Sequence, residues 1–287
     1  MLKTERIDIS IDDLLTDDLQ LTSSPTLFLE LKKVLDDPNK SLTDASDIIS
    51  KDPGLTIRLL KLVNSAYYGF PGRIATVTHA ISIIGADELQ NLVLATLIIT
   101  KFSEQPGGMM SMHDFWALSL RNAITAKELT LALHCKIKNI KESVFICGLL
   151  HEIGKLVFYR RITDIAREIG LQVEHTGTPE VEIEQQFLGF NHYDTGAELA
   201  RLWNLPSIIS ESIAQHCLPD TSSPFSLISD IVRSANLISK MELSDKATDL
   251  NKWGITDDEL SDIIDKVDDQ FDEIFSVFYP GTYFLLG

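Results

Sequence analysis

Cysteine is scarce here and shows no pairing pattern. Cys135, Cys147 and Cys217 are odd in number and widely spaced, which argues against both a disulfide framework and a cysteine-built zinc site. They read as small buried hydrophobes. Basic residues are also in short supply. Lys and Arg total 25 against 42 Asp and Glu, a net charge of −17, so the broad basic surface that a phosphate backbone requires is missing and nucleic acid is not an expected partner. Long apolar runs are absent as well. The stretch Leu92 to Ile99 falls short of a bilayer crossing, and Met1-Leu2-Lys3-Thr4-Glu5-Arg6 lacks the apolar core of a secretory signal. A cytoplasmic location with no membrane partner is the expectation.

Alternating strand patterns bounded by tight turns are likewise missing. In their place, apolar residues recur at three- and four-residue steps almost throughout, and an all-α fold follows. At 287 residues, with 44% apolar and 23% charged side chains, the chain can fold around a sizeable core. Ser23-Ser24-Pro25 is read as opening a helix with Leu27, Phe28, Leu31, Val34 and Leu35 on one stripe, and Thr43 or Asp44 as opening a shorter one to Ser50. Asp52-Pro53-Gly54 is read as the cap and first turn of a helix running toward Tyr68 and stopping at Gly69. Further helices are expected from Thr76 to Gly85 and, capped by Asp87, to about Phe102.

Glu104-Gln105-Pro106-Gly107-Gly108 is the clearest break, because proline and paired glycines end a helix. Beyond it helices are expected near Met112–His134, Ile140–Tyr159, Thr163–His175, Pro179–Phe187, Tyr193–Trp203, Pro206–Cys217 and Phe225–Met241. The stretch from Ile255 to Phe278 is amphipathic, with aspartates opposite Leu260, Ile263, Ile264, Val267, Phe271, Ile274, Phe275 and Phe278. It reads either as a helix packed on the bundle or as a docking element.

The chemistry-bearing run is Gly148-Leu149-Leu150-His151-Glu152-Ile153-Gly154-Lys155, where an imidazole and a carboxylate are adjacent in an apolar helical pattern. Both need partners if buried. A zinc, iron or manganese ion is one such partner. The run is not the zinc-protease motif, which would require histidine where Lys155 stands. His192 and His216 lie downstream near expected helix ends, so His151, Glu152, His192 and His216 could converge as helix-bundle metal ligands do. Each histidine also reads as an ordinary hydrogen-bonded core or surface residue. Lys155 could meet a phosphate as a point charge or lie solvated at the surface.

The run from Gly148 through Lys155 to Leu156 resembles the central motif of the HD superfamily of metal-dependent phosphohydrolases. Three earlier segments narrow this: Ile49-Ser50-Lys51-Asp52-Pro53-Gly54-Leu55, Leu62-Val63-Asn64-Ser65-Ala66-Tyr67-Tyr68-Gly69 and His79-Ala80-Ile81-Ser82-Ile83-Ile84-Gly85. With Phe115-Trp116, His192 followed by Gly196, and Trp203-Asn204-Leu205-Pro206 leading to His216, they follow the order of the HDOD branch over roughly Thr22 to Met241. The resemblance implies an N-terminal helical lobe packed with an HD-type helical bundle, and a bacterial signalling role. It divides the chain into an extension over residues 1–21, the lobe over 22–106, a degenerate HD-like bundle over 107–243 and an acidic amphipathic extension over 244–287.

Departures from the superfamily pattern shape the functional expectation. Leu118 stands where catalytic relatives carry a histidine, Glu152 replaces the usual aspartate, and Asn236 aligns with a closing aspartate. The glycine-tyrosine-proline motif of cyclic-dinucleotide phosphodiesterases is absent, since Cys217-Leu218-Pro219-Asp220 follows His216. The resulting expectation is a regulatory output module that contacts signalling proteins, with no required cofactor and no confident catalytic residue. Asn64, Ser65, Tyr67, Tyr68 and Arg73 form its candidate interaction surface, while Asn64, Ser65, Tyr67 and Tyr68 also read as helix-end and packing groups, the structural role that the residues alone favour. Two alternatives stand beside it. One is a phosphohydrolase built on a single Fe, Mn or Zn ion at His151, Glu152, His192 and His216, with Lys155 assisting a phosphate. The other is a sensor that binds a small phosphorylated ligand such as a nucleotide without hydrolysing it.

Overall fold

Side-chain caps written into the sequence, among them Ser10, Ser41, Asp52, Thr76, Asn191 and Thr256, set several of the helix starts. The computed structural model describes residues 6–16, 25–103, 111–133, 138–217, 222–240 and 253–280. Among them are fifteen α-helices and no strand. The expected cap at Ser23-Ser24, the break at Glu104 to Gly108, Cys135, and the helix ends at His134 and Met241 lie outside the described residues. The chain forms two compact units, each assembled from segments distant in sequence.

One unit comprises residues 25–103, 116–149 and 231–287. Its first helices are α2 (Thr26–Leu35), α3 (Leu42–Ser50), α4 (Pro53–Val63), α5 (Val77–Ile84) and α6 (Ala86–Phe102). Most of α7 (Met112–Ala132) and α8 (Lys138–Leu150), the end of α14 (Ser226–Ser239) and all of α15 (Asp257–Phe278) complete it. Two starts and one end differ in detail from the sequence reading. Ser41, ahead of Thr43, caps α3 by accepting from the Asp44 N–H, and Asp44 bonds back to the Ser41 N–H. Gly85, at φ 88°, precedes α6 in place of an Asp87 cap. Helix α4 ends at Val63, so Asn64 to Tyr68 form a turn.

That turn is pinned by Asn64, whose Nδ2 donates to the carbonyls of Leu60 (2.6 Å) and Ile74 (2.8 Å) while its Oδ1 accepts from the Ile74 N–H at 2.8 Å. Beneath it lies a core that includes Phe28, Leu31, Ile49, Leu59, Val63, Val93, Ile98 and Phe102, all almost fully buried. Helix α15, capped by Thr256, packs on α4 and α6. It buries Ile263, Val267, Phe271, Ile274 and Phe275, pairs Asp268 with Arg121, and accepts the Ala66 N–H on Glu273 at 2.6 Å. Its apolar face is thus covered within the chain.

The other unit comprises residues 1–24, 104–115 and 150–230. It contains α1 (Ile11–Leu15), α9 (Ile153–Arg161), α10 (Thr163–Thr176), α11 (Glu180–Phe187), α12 (His192–Leu202) and α13 (Ser207–Gln215). Helix α12 packs against both α9 and α13, and α1 lies on α9 and α12. The crossing of α9 with α12 is tight because Gly154 and Gly196 meet there without side chains. The short α1, capped by Ser10 and Asp13, was not anticipated from the periodicity because five residues are too few to show one.

Candidate functional site: a buried histidine–carboxylate pocket

The single helix expected over Ile140–Tyr159 is interrupted at His151-Glu152, which form a turn between α8 and α9. Adjacent residues on a continuous helix do not face each other. The turn, with Glu152 at φ −104° and ψ 13°, brings both side chains into one buried pocket, with His151 Nε2 3.8 Å from Glu152 Oε1.

His192 is the first residue of α12, which Asn191 caps by accepting from the Tyr193 and Asp194 N–H groups. The His192 N–H, left over at the helix start, donates to Glu184 Oε2 at 3.0 Å, and its Nδ1 lies 2.7 Å from the same oxygen. Its Nε2 points to Glu152 Oε2 at 3.1 Å. Burial and the Lys155 ammonium oppose a charge on this ring, but Glu184 and Glu152 outweigh them and lift its pKa to about 9. His216 is the C-terminal cap of α13. Its Nδ1 faces the Ile213 carbonyl at 2.9 Å, which leaves Nε2 as a buried lone pair with no hydrogen bond among the described residues. Burial and then the neighbouring His151 push its pKa down to about 3, so the ring is neutral.

Lys155, in the first turn of α9, is largely but not fully buried, with its Nζ 2.6 Å from Glu152 Oε2 and 2.7 Å from Glu180 Oε2. Burial works against its charge, but the two carboxylates prevail and raise its pKa. Glu180 and Glu184 were not picked out from the sequence. Their i, i+4 spacing, which places both on one face of α11, and the inward Ile183 and Phe187 beside them were the available signals. Tyr193 was passed over too. Its ring packs on His216 and His192, with centroids 4.2 and 4.0 Å apart.

The residues present suit a divalent ion. One ligand atom from each of His151, Glu152 and His216 lies within 4.8 Å of the others, while His192 groups with Glu180 and Glu184. His192 and His216 both hold Nδ1 on an oxygen and direct Nε2 inward, the arrangement by which an outer partner fixes a metal-ligating imidazole. An ion bound there would lower the pKa of a bound water and neutralise charge on a phosphate. The other two expected ligand positions, half-buried Leu118 on α7 and buried Asn236 on α14, belong to the other unit.

The candidate interaction residues have mixed placements. Ser65 is buried and donates to the Leu62 carbonyl at 2.6 Å. Tyr67 and Tyr68 enclose Lys127, whose Nζ is 3.8 and 4.6 Å from their ring centres, and the Tyr68 hydroxyl donates to Glu88 at 2.7 Å. Asn64 and Arg73 reach the surface. Cys147 is buried and Cys217 is half-buried.

An all-helical protein with histidines and a carboxylate gathered at a helix break is the class these features define. The HDOD domain model matches residues 21–219, and the chain belongs to the HDOD domain family. It is 29% identical over 242 residues to an uncharacterized protein of Treponema pallidum (strain Nichols), covering 82% of this chain and 44% of that one. The chain therefore spans less than half the length of that relative. The same fold occurs in a candidate phosphohydrolase from Shewanella amazonensis SB2B (TM-score 0.73, 24% identity, 92% of this chain and 97% of that one). It recurs in an HDOD domain protein of unknown function from Geobacter sulfurreducens (TM-score 0.70, 21% identity, 92% and 93% covered). A candidate signal transduction protein from Marinobacter aquaeolei VT8 shares it too (TM-score 0.69, 18% identity, 96% and 62% covered). Among the described residues no helix is long and apolar enough to cross a membrane.

Proposed function

We propose that this chain is a bacterial signalling output module that works through protein contacts, and that its pocket maintains structure without turning over a phosphoester. One observation carries the reading: the pocket's carboxylates are already matched from within, Glu152 and Glu180 by Lys155 and Glu184 by His192. A phosphohydrolase needs those anions for its ion and its water. With Leu118 and Asn236 in place of two further ligands, the charge available to hold metal falls again.

A groove of about 820 Å3 beside α4 supports the contact role. Ile57, Phe70, Lys61 and Arg73 line it, and Ile57 is 57% exposed. Two cations beside exposed apolar side chains in so acidic a chain suit an acidic, apolar segment of a signalling protein. The catalytic alternative, a phosphohydrolase with a single Fe, Mn or Zn ion, draws support from the inward Nε2 of His216. A sensor for a small phosphorylated ligand would use the same pocket, with Lys155 meeting the phosphate. The deciding experiment loads the protein with each metal and assays nucleotides and generic phosphoesters. No turnover is expected, and turnover that disappears in His151→Ala would overturn the reading.

A further inference from the structure

We propose that Lys155 is an internal competitor for any divalent ion entering this pocket, and that Glu180 sets how readily it yields. The inference rests on the reading of the pocket as neutralised from within and adds what controls that state.

The argument begins with one oxygen. Glu152 Oε2 lies 2.6 Å from the Lys155 ammonium and 3.1 Å from His192 Nε2. Glu152 is also the carboxylate that stands within ligand distance of His151 and His216. Metal coordination through Glu152 therefore meets an ammonium already bonded to the same carboxylate, and two cations cannot share that charge closely without strong repulsion inside a buried site. Lys155 has to draw back. Its side chain is only 14% exposed, so retreat into water is restricted. The Glu180 carboxylate, 2.7 Å from Nζ and itself 32% exposed, offers the second anchor. Lys155 thus bridges α9 and the first turn of α11, and holding an ion shifts it from two carboxylates to one.

Opposite signs follow for the two partners. Removing the ammonium frees Glu152, and metal binds more tightly. Removing the Glu180 charge leaves the ammonium nowhere to go but Glu152, and metal binds more weakly.

The test is calorimetric titration of the chelator-treated full chain with Mn2+ and Zn2+, alongside circular dichroism to verify folding. Lys155→Met should bind one ion about tenfold tighter than wild type or better, the scale on which neighbours of metal ligands act. Glu180→Gln should bind more weakly than wild type. Arg167→Met removes a cation from the exposed face of α10, where it pairs with Asp164, and should change nothing. An ion that registers only in Lys155→Met supports the proposal. Equal affinity in Lys155→Met and wild type, no binding to either, tighter binding in Glu180→Gln, or an equal gain in Arg167→Met would each overturn it. Turnover by the wild-type protein would defeat the non-catalytic reading and leave this competition standing, because the readout is affinity.

Discussion

Gly154 and Gly196 touch backbone to backbone. A Cβ on Gly154 would lie 2.8 Å from the Gly196 nitrogen and 1.8 Å from the His192 carbonyl oxygen, and one on Gly196 would lie 3.0 Å from the Gly154 nitrogen. This seam between α9 and α12 holds the His151-Glu152 turn against His192. The close approach explains why the histidine and carboxylate are followed by glycine two residues on.

Gly154→Ala should therefore be costly. The added methyl collides with backbone that cannot swing aside, and overpacking of this kind removes about 1–3 kcal/mol or more. Gly72→Ala, where a Cβ meets nothing within 4 Å, serves as the control. Urea unfolding should separate the two variants clearly. Wild-type stability in Gly154→Ala would mean that the seam opens at no cost.

Tyrosine ionisation gives a pH prediction. Of six tyrosines, Tyr67, Tyr68, Tyr159, Tyr193 and Tyr279 all have their pKa raised, with burial the leading cause and Tyr159 reaching about 12. The charged form is the disfavoured one in the fold. Stability from these groups is thus complete below the unfolded value of about 10 and declines as pH rises beyond it. Ultraviolet titration should show little phenolate near that pH, then a cooperative rise on alkaline unfolding. Phenolate from most tyrosines in the folded protein would contradict this.

Phe271→Ala tests the docking of α15. Phe271 is 2% exposed, stacks on Phe275 at 5.3 Å and lies beneath the Arg121 guanidinium. Its truncation should cost about 3–5 kcal/mol, whereas Asp265→Ala on the exposed face should be near neutral. Thermal denaturation of both variants would show whether the acidic helix is integral to the fold.

Asn64→Ala removes three hydrogen bonds and leaves the Ile74 N–H and carbonyl without their partner, at about 1–3 kcal/mol. Hydrogen exchange should quicken first at the Ile74 amide. Exchange unchanged from wild type would mean that the loop after Phe70 does not depend on Asn64.

Much of this architecture is legible in the sequence because it rests on local chemistry. Asp52 and Pro53 start α4 where capping rules place them, and the three- and four-residue periodicity yields the helices and the inner face of α15. What escaped has non-local causes. The interruption at His151-Glu152 follows from the contact of Gly154 with a helix some forty residues away, and periodicity cannot report such a contact. His151, Glu152, His192 and His216 were recognisable by residue type and motif. Glu184 and Glu180 were not, because a carboxylate on a charged helix looks solvated until the fold turns it toward an imidazole or an ammonium.

The segment arrangement bears on how the molecule comes to be made. The unit holding α2 to α6 has its last helix, α15, some two hundred residues downstream of α4, with the pocket-bearing segment 150–230 synthesised in between. A ribosome releasing this chain exposes the faces of α4 and α6 long before their cover exists. Loop-closure entropy makes so distant a contact slow to form. Ribosome-bound chains halted before Asp257 should therefore carry an open apolar surface that the docking of α15 later covers.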